Sequence, residues 1–203
     1  MPLALCVMNY LAHAWLSFNQ PEILTGNMIS DFVKGKKRFD FTEGIQKGIM
    51  LHRSIDAFTD THITTKQAKE FLKPEAGLYA GAFIDIVYDH FLALDKNEFT
   101  DESLFKFSRS VYATLNIYKP ILPQKFSGML PYMQRDNWLY NYRTLTGIEK
   151  SFAGLARRAK YIEDSTPVFQ LFKKNYEPLE ECYNSFYPAV KDFARKQLNS
   201  SGN

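Results

Sequence analysis

The chain has 203 residues, of which 45% are hydrophobic and 15% aromatic, so it can bury the core of one domain and is not a disordered polypeptide. Its formal net charge of +3 is small, and no basic motif indicates direct binding to nucleic acid. Two widely spaced cysteines, Cys6 and Cys182, exclude a disulfide framework or a zinc finger, which fits a reducing, cytoplasmic setting.

The first residues, MPLALCV, are apolar but lack the basic segment of a signal peptide. Polar Asn9 and His13 interrupt the run that follows, which is then too short to span a membrane. We therefore predict neither a leader nor a membrane helix. Met8 could be the initiator, which would make residues 1–7 a frayed extension of a single domain covering 1–203.

Proline and glycine divide the remainder into segments of helical length. Because no segment shows sustained alternation of polar and apolar residues, we predict an all-α helical bundle without a sheet. Thr42 and Thr100 suit helix N-caps, since acidic residues follow each of them in the first turn. The predicted helices, about ten in number, cover residues 8–18, 21–33, 42–60, 64–72, 78–94, 100–118, 122–134, 136–144, 147–161 and 167–198.

The first two predicted helices carry polar residues on otherwise apolar faces. Asn9 and His13 are four residues apart in the first, and Asn27 and Asp31 are four apart in the second. Residues at this spacing share one face of a helix. Each pair therefore puts two polar side chains on one face of an apolar helix.

The third predicted helix turns a histidine and one or two aspartates toward the core. The apolar face at Ile49 continues, at helical spacing, through His52 and Asp56. Asp60 follows Asp56 by four residues. An imidazole and a carboxylate are thus expected on the buried side of one helix.

The predicted helix over 78–94 is apolar nearly all round and should be buried. It nevertheless contains Asp85, Asp89 and His90, and the two aspartates share a face. Two ionised carboxylates on one buried face would cost several kcal/mol or take up protons unless something compensates their charge.

A divalent cation would provide that compensation and would accept imidazole nitrogen as a ligand. Mixed histidine and aspartate ligation suits Mn, Fe or Zn better than Mg, and such a metal activates water and polarises a phosphoryl oxygen. For any single residue the ordinary interpretation is a cap or an ion pair, such as Arg53 with Asp56 or Asp60. The recurrence of the pattern in 90 residues is what favours a metal site.

The tail has the clearest periodicity, with apolar residues three and four apart on one helical face. We assign this stripe to the core, or second to an oligomer contact, and expect Pro178 and Pro188 to kink or break the helix. The stripe consists of Phe169, Phe172, Tyr176, Leu179, Tyr183, Phe186, Val190 and Phe193. The sequence does not indicate an oligomeric state.

Several of these segments resemble the acyl carrier protein phosphodiesterase family, a divergent relative of the HD-domain phosphohydrolases. The four specific motifs are MNYLAHAWLS at 8–17, TGNMISDFVKG at 25–35, GIMLHRSIDAFTDTH at 48–62 and DIVYDHFLAL at 85–94. Weaker matches are WLYNYR at 138–143 and GLARR at 154–158. The resemblance covers nearly the whole chain from Met8.

The resemblance implies an HD-like all-α fold and a divalent metal, most commonly Mn, with Mg or Fe as possible alternatives. It also implies hydrolysis of the phosphodiester that joins a serine of holo-acyl carrier protein to 4′-phosphopantetheine. The family's motif positions fall on His13, Asp31, His52, Arg53, Asp56, Asp60, Asp89 and His90, with His62 ranked lower.

Among these positions, the expected metal ligands are His52, Asp56, Asp89 and His90, followed by Asp31 and His13. Adjacent residues on a helix diverge by about 100°, so one of Asp89 and His90 could instead be a base or a supporting residue.

Asp60, Arg53 and Asp31 are the expected catalytic residues. Asp60 would orient His52 or Arg53 or act as general base, and its ordinary interpretation is a residue of the last helical turn. Arg53 would clamp the phosphate, with an ion pair inside its own helix as the equal alternative.

Two basic groups are the expected substrate contacts. Carrier proteins are acidic, so the run Lys34, Lys36, Lys37 and Arg38 is expected to steer the partner, although such runs are more often solvated loops. Arg157 and Arg158 could contact the phosphate, and their ordinary interpretation is likewise a solvated surface.

Two other functions remain open on the sequence. An HD-type phosphohydrolase acting on a nucleotide or another small phosphodiester would keep the metal cluster without a docking surface. A helical module that binds a carrier protein without catalysis would hold no metal and would tolerate loss of His52.

Overall fold

The computed structural model describes residues 10–200, which form eleven α-helices, four short 3₁₀ helices and no strand. The predicted all-α fold is confirmed for this part of the chain, whereas Asn9, Cys6 and the proposed extension 1–7 lie outside the described residues. The α-helices are α1 Tyr10–Trp15, α2 Pro21–Ile29, α3 Glu43–Thr61, α4 Ile63–Ala76, α5 Ala80–Leu94, α6 Asp101–Ile117, α7 Gln124–Arg135, α8 Trp138–Asn141, α9 Leu145–Ala156, α10 Thr166–Lys174 and α11 Tyr176–Ser200. The 3₁₀ helices are Ser30–Phe32, Gly35–Asp40, Gly77–Tyr79 and Lys119–Ile121.

The second predicted helix is shorter than expected. We predicted one helix over 21–33, but α2 ends at Ile29 and a 3₁₀ helix, Ser30–Phe32, follows it. Val33 is extended, and its carbonyl oxygen accepts a hydrogen bond from Arg53 Nη2 at 2.8 Å. The Arg53 side chain on α3 thus supplies a hydrogen-bond donor to a carbonyl oxygen that lies just beyond the helix end.

The tail forms two helices and does not break at its prolines. The break lies at Asn175, whose side-chain amide donates to the carbonyl of Leu171 near the end of α10. Pro178 lies in the first turn of α11, where the missing N–H has no helical partner to lose. Pro188 lies inside α11, which continues past it. A kink or a break was expected at these prolines, and the helix breaks at neither of them.

The core assignment of the tail stripe is confirmed. Tyr183 and Phe186 of α11 are buried, and the Phe186 ring stacks on Tyr88 of α5 at 5.0 Å. The α5 helix is buried nearly all round, as predicted, and packs against α1, α4, α9 and α11. A stretch over 63–94 is long and apolar enough to cross a membrane, but 67% of its most apolar window is buried in the protein, as in a core helix.

Helices α2 and α3 approach closely because glycines face each other across their contact. A Cβ on Gly26 would collide with the carbonyl oxygen of Ile45, and a Cβ on Gly48 would collide with that of Ile23. The close approach brings the backbone of α2 within hydrogen-bonding distance of His52, one turn after Gly48 on α3.

Candidate metal centre

Two buried histidines from different helices lie face to face at the centre of the site. His13 of α1 and His52 of α3 expose only 1% and 5% of their surface. Their ring centroids are 3.9 Å apart, and the ring planes differ by 17°. Two cationic imidazoles would repel strongly at this distance, so the arrangement favours at most one protonated ring.

Asn27 of α2 fixes the orientation of both rings. Its side-chain amide nitrogen donates to the His13 carbonyl at 2.8 Å and to Ser17 Oγ at 3.1 Å, so its Oδ1 atom is an acceptor. That oxygen lies 2.7 Å from His13 Nδ1, and the Asn27 carbonyl oxygen lies 2.8 Å from His52 Nδ1. Both Nδ1 atoms must therefore donate, which leaves both Nε2 atoms for other partners.

The two Nε2 atoms face carboxylates. His52 Nε2 lies 3.3 Å from Asp31 Oδ1 and 3.2 Å from Asp56 Oδ2. His13 Nε2 lies 3.2 Å from Asp56 Oδ1, but no hydrogen bond of acceptable geometry joins it to a described residue. Ligand atoms of His13, His52 and Asp56 all lie within 4.8 Å of one another. We call these three residues, together with the adjacent Asp31, the histidine cluster.

The protonation of the cluster follows from burial and from these contacts. Burial alone would lower the pKa of His52, but hydrogen bonds to Asp31 and Asp56 outweigh it and raise the pKa to about 10. Burial, followed by the positive charge of His52, lowers the pKa of His13. Burial opposes ionisation of Asp56, yet the neighbouring His13 and His52 outweigh it and lower the pKa of this carboxyl.

The donor set fits a divalent cation. A neutral His13 presents a lone pair at Nε2 toward an ionised carboxylate, and this contact between two acceptors is unfavourable unless a cation lies between them. Two imidazole nitrogens with carboxylate oxygens suit Mn, Fe or Zn. The Asp56 side chain is 44% exposed, so the cluster reaches solvent on that side.

The structure does not bring the other two expected ligands into this cluster. Both carboxylate oxygens of Asp89 accept backbone N–H groups at the start of α1, from Leu11 at 2.9 Å and from Ala12 at 2.8 Å. Burial raises the pKa of Asp89 to about 8, although these two donors lower it. Asp89 thus satisfies N–H groups that a helix end leaves without partners.

His90 has a protein partner at each ring nitrogen. Its Nδ1 lies 2.6 Å from the carbonyl oxygen of Tyr142, and its Nε2 lies 2.9 Å from the hydroxyl of Tyr176. Nδ1 therefore donates and Nε2 accepts, which engages both nitrogens of a neutral ring. Burial lowers the pKa of His90.

The expected catalytic residues take three different positions. Asp31 lies beside His52 in the cluster, as described above. Asp60, one turn beyond Asp56 on α3, is exposed and forms an ion pair with Lys69 at 2.8 Å. Arg53 Nη2 donates to the Val33 carbonyl, so this guanidinium supports the segment after Asp31.

The basic side chains after Asp31 lie on different surfaces. Lys34 and Lys37 line a groove that also reaches Asp31. Arg38 turns to a separate pocket, where its guanidinium contacts a methionine sulfur at 3.0 Å. Lys36 is exposed and lines neither of the two.

Arg157 and Arg158 line a second groove, of about 800 Å³, together with Arg135 and Lys150. Arg157 and Arg158 are exposed, and neither forms an ion pair with another described residue. None of the residues lining this groove belongs to the histidine cluster.

Sequence reasoning assigned no role to two residues at the site. Asn27 was noticed only for its spacing from Asp31, and its contacts to both histidines depend on the approach of three helices. Asp85 was noticed only as the partner of Asp89. Burial raises the pKa of Asp85 well above its ordinary value, and Asp85 lines a small pocket with Ala12 of α1 and Thr59 of α3, the helices that carry His13 and Asp56.

Residues 8–190 match a family model described as acyl carrier protein phosphodiesterase. The chain belongs to this family. Similar proteins named acyl carrier protein phosphodiesterase occur in Yersinia enterocolitica, at 31% identity, and in Klebsiella pneumoniae subsp. pneumoniae, at 32% identity. Each alignment covers 94% of this chain and 100% of the relative. No solved structure matches the chain. The family resemblance noted in the four motifs is thereby confirmed.

Proposed function

We propose that this protein is a metal-dependent phosphodiesterase that releases 4′-phosphopantetheine from holo-acyl carrier protein. Membership of the acyl carrier protein phosphodiesterase family supports the substrate. The observation that carries the mechanism is the pair of stacked histidines, whose Nε2 atoms both face carboxylates while Asn27 holds their Nδ1 atoms. We take residues 1–203 as a single domain acting in the cytoplasm.

His13 and His52 would hold the cation through Nε2, together with carboxylate oxygens of Asp56 and Asp31. Manganese suits this donor set best, and Mg or Fe are possible alternatives. When bound, such a cation polarises a phosphoryl oxygen and lowers the pKa of a water molecule. Asp89 and His90, whose polar atoms have other partners, would support α1 and the α8 region instead.

The reaction needs one water molecule, a residue that orients it or accepts its proton, and a residue that positions the groove wall near the phosphate. Water attacks phosphorus, the bond from phosphorus to the serine oxygen breaks, and the products are the serine hydroxyl and a phosphomonoester. Asp31 is 25% exposed and lies between His52 and the groove, so it is placed to orient the water or accept its proton. Arg53 would act through Val33 by positioning the groove wall. Asp60, paired with Lys69, would balance charge at the edge of the site.

The basic run would dock the acidic carrier protein through Lys34 and Lys37, which lie on the same side as Asp31. Lys36 and Lys37 are adjacent and exposed, and only Lys37 lines the groove, so they form a matched pair. Lys37→Glu should raise KM for holo-carrier protein at low salt more than Lys36→Glu does. Equal KM values for the two variants would remove the docking role of Lys37. Arg38, Arg157 and Arg158 remain candidates for contacts further from the phosphate.

The direct test is mass spectrometry of holo-carrier protein incubated with this protein and Mn²⁺, with and without a chelator. The proposal predicts loss of the prosthetic-arm mass only when the metal is free. A parallel panel of nucleotides and small phosphodiesters distinguishes a general phosphohydrolase, which would hydrolyse those compounds and leave the carrier unchanged. No change in any substrate, in the presence of bound metal, would favour a non-catalytic carrier-binding module.

A further inference from the structure

A groove of about 570 Å³ opens directly beside the histidine cluster. One wall comes from residues 31–41, which include the two 3₁₀ helices after α2, and the other comes from residues 121–125 at the start of α7. Asp31 belongs both to this groove and to the cluster, where it lies 3.3 Å from His52 Nε2. A ligand in the groove would therefore lie beside a carboxylate that also belongs to the cluster.

The two walls are held together by packed side chains. Phe32 of the first wall packs edge-on against Phe126 of α7, with ring centroids 5.5 Å apart. Phe126 also packs edge-on against Tyr10 of α1, the helix that carries His13, with ring centroids 6.2 Å apart. Arg53 fixes the first wall through its hydrogen bond to the Val33 carbonyl. The groove is thus a feature of the packed fold, linked to the same helices as the cluster.

The lining combines apolar side chains with three lysines, two aspartates (Asp31 and Asp40) and Gln124. Phe32, Phe41, Ile121 and Pro123 supply apolar surface. Lys34, Lys37 and Lys125 also line the groove, are exposed, and form no ion pair within 4 Å of another described residue. The structure thus leaves these positive charges available to a negatively charged partner.

We propose that this groove binds the pantetheine arm of the substrate, with the phosphate at the Asp31 end, and that the 121–125 segment selects for that arm. The inference rests on the proposed function, because the substrate class comes from it.

The chemistry of the arm matches the lining. The arm is uncharged beyond its phosphate and combines methyl groups with amides, which suits apolar walls bordered by polar groups. The volume lies within the roughly 300–1,000 Å³ that small-molecule sites occupy. The lysines would attract the phosphate and the acidic carrier protein to which the arm is attached. The second groove, at Arg157 and Arg158, shares no residue with the cluster. Nothing in its lining therefore connects a bound phosphate to the histidines.

The test places a larger side chain in the groove and makes the same substitution at an exposed position outside it. Ile121 is 44% exposed and lines the groove, whereas Ile117, one turn earlier at the end of α6, is 76% exposed and does not line it. Ile121→Trp should weaken binding of free 4′-phosphopantetheine, measured by calorimetry with Mn²⁺ present, and raise KM for holo-carrier protein, each by about tenfold or more. Ile117→Trp should match the wild type in both. Thermal unfolding and Mn²⁺ affinity of each variant check that the fold and the cluster are intact.

The outcomes separate the inference from the function on which it rests. If wild-type protein cleaves holo-carrier protein and Ile121→Trp has unchanged KM and unchanged affinity for phosphopantetheine, the groove assignment is overturned and the function stands. If wild type leaves the carrier uncleaved but binds phosphopantetheine in a manner that Ile121→Trp abolishes, the groove assignment is supported and the function fails. Equal effects of Ile117→Trp and Ile121→Trp would also overturn the assignment.

Discussion

Replacing Asn27 by alanine tests whether this residue sets the orientation of the paired histidines. The change removes the acceptor of His13 Nδ1–H and the amide that donates to the His13 carbonyl and to Ser17 Oγ. The His13 carbonyl keeps a second donor, Ser17 Oγ at 2.8 Å, and the Asn27 backbone carbonyl still accepts from His52. The main group left without a partner is therefore the buried Nδ1–H of His13.

The expected loss of stability follows from this single unpaired donor. One buried donor without a partner costs about 1–3 kcal/mol of folding stability, which corresponds to a fall in Tm of roughly 2–12 °C for a chain of this size. Loss of a group that orients a metal-binding histidine typically weakens metal affinity about 10- to 100-fold. We expect both effects in Asn27→Ala, because the His13 ring would be free to rotate away from Asp56.

The assay is Mn²⁺ affinity by calorimetry, paired with thermal unfolding of the metal-free protein. Ser30→Ala is the matched control, since Ser30 is a buried residue just after α2 whose hydroxyl donates to the Ile49 carbonyl and contacts neither histidine. The control should lose stability without losing metal affinity. An Asn27→Ala variant that binds Mn²⁺ as tightly as the wild type would refute the assigned role.

Three further predictions address protonation, the α1 end and the helix contact. Because His52 has a pKa of about 10 without metal, it carries a proton at neutral pH that a metal must displace. The logarithm of Mn²⁺ affinity should therefore rise by about one per pH unit between roughly pH 6 and 8, and a flat profile in titration calorimetry would contradict this. Asp89→Ala should lower stability by about 2–4 kcal/mol, since a buried and a partly buried N–H group lose their acceptor, and leave Mn²⁺ affinity near the wild-type value. A large loss of affinity in that variant, with the fold intact by circular dichroism, would return Asp89 to the ligand set. Gly48→Ala should cost about 1–3 kcal/mol in denaturant unfolding because its Cβ meets the Ile23 carbonyl, and an unchanged unfolding midpoint would contradict the close helix contact.

Helical spacing was sufficient to predict part of the site. His52 and Asp56 share one face of α3, and the spacing placed both toward the same side as Ile49. The aromatic stripe of the tail was likewise readable from its period, since its partners lie on a single apolar face. These predictions succeed where the relevant geometry is contained within one helix.

The rest of the site depends on contacts between distant segments. Asp89 and His90 carry the residue types of metal ligands, but their partners are the backbone N–H groups of α1 and two tyrosines more than 50 positions along the chain. Nothing in the local spacing shows that a carboxylate will cap another helix. The contact of Asn27 with both histidines has the same origin, since it requires the glycine contact between α2 and α3.

In the proposed metal centre, His13 and His52 hold one divalent cation through Nε2. Pulsed electron paramagnetic resonance on Mn²⁺-loaded protein tests it directly, because the method detects nitrogen nuclei coordinated to manganese. We expect nitrogen coupling in the wild type, a reduced coupling in His52→Ala, and unchanged coupling in Asp89→Ala. A wild-type spectrum with oxygen ligands alone, or coupling that persists in full when both His13 and His52 are replaced, would contradict it.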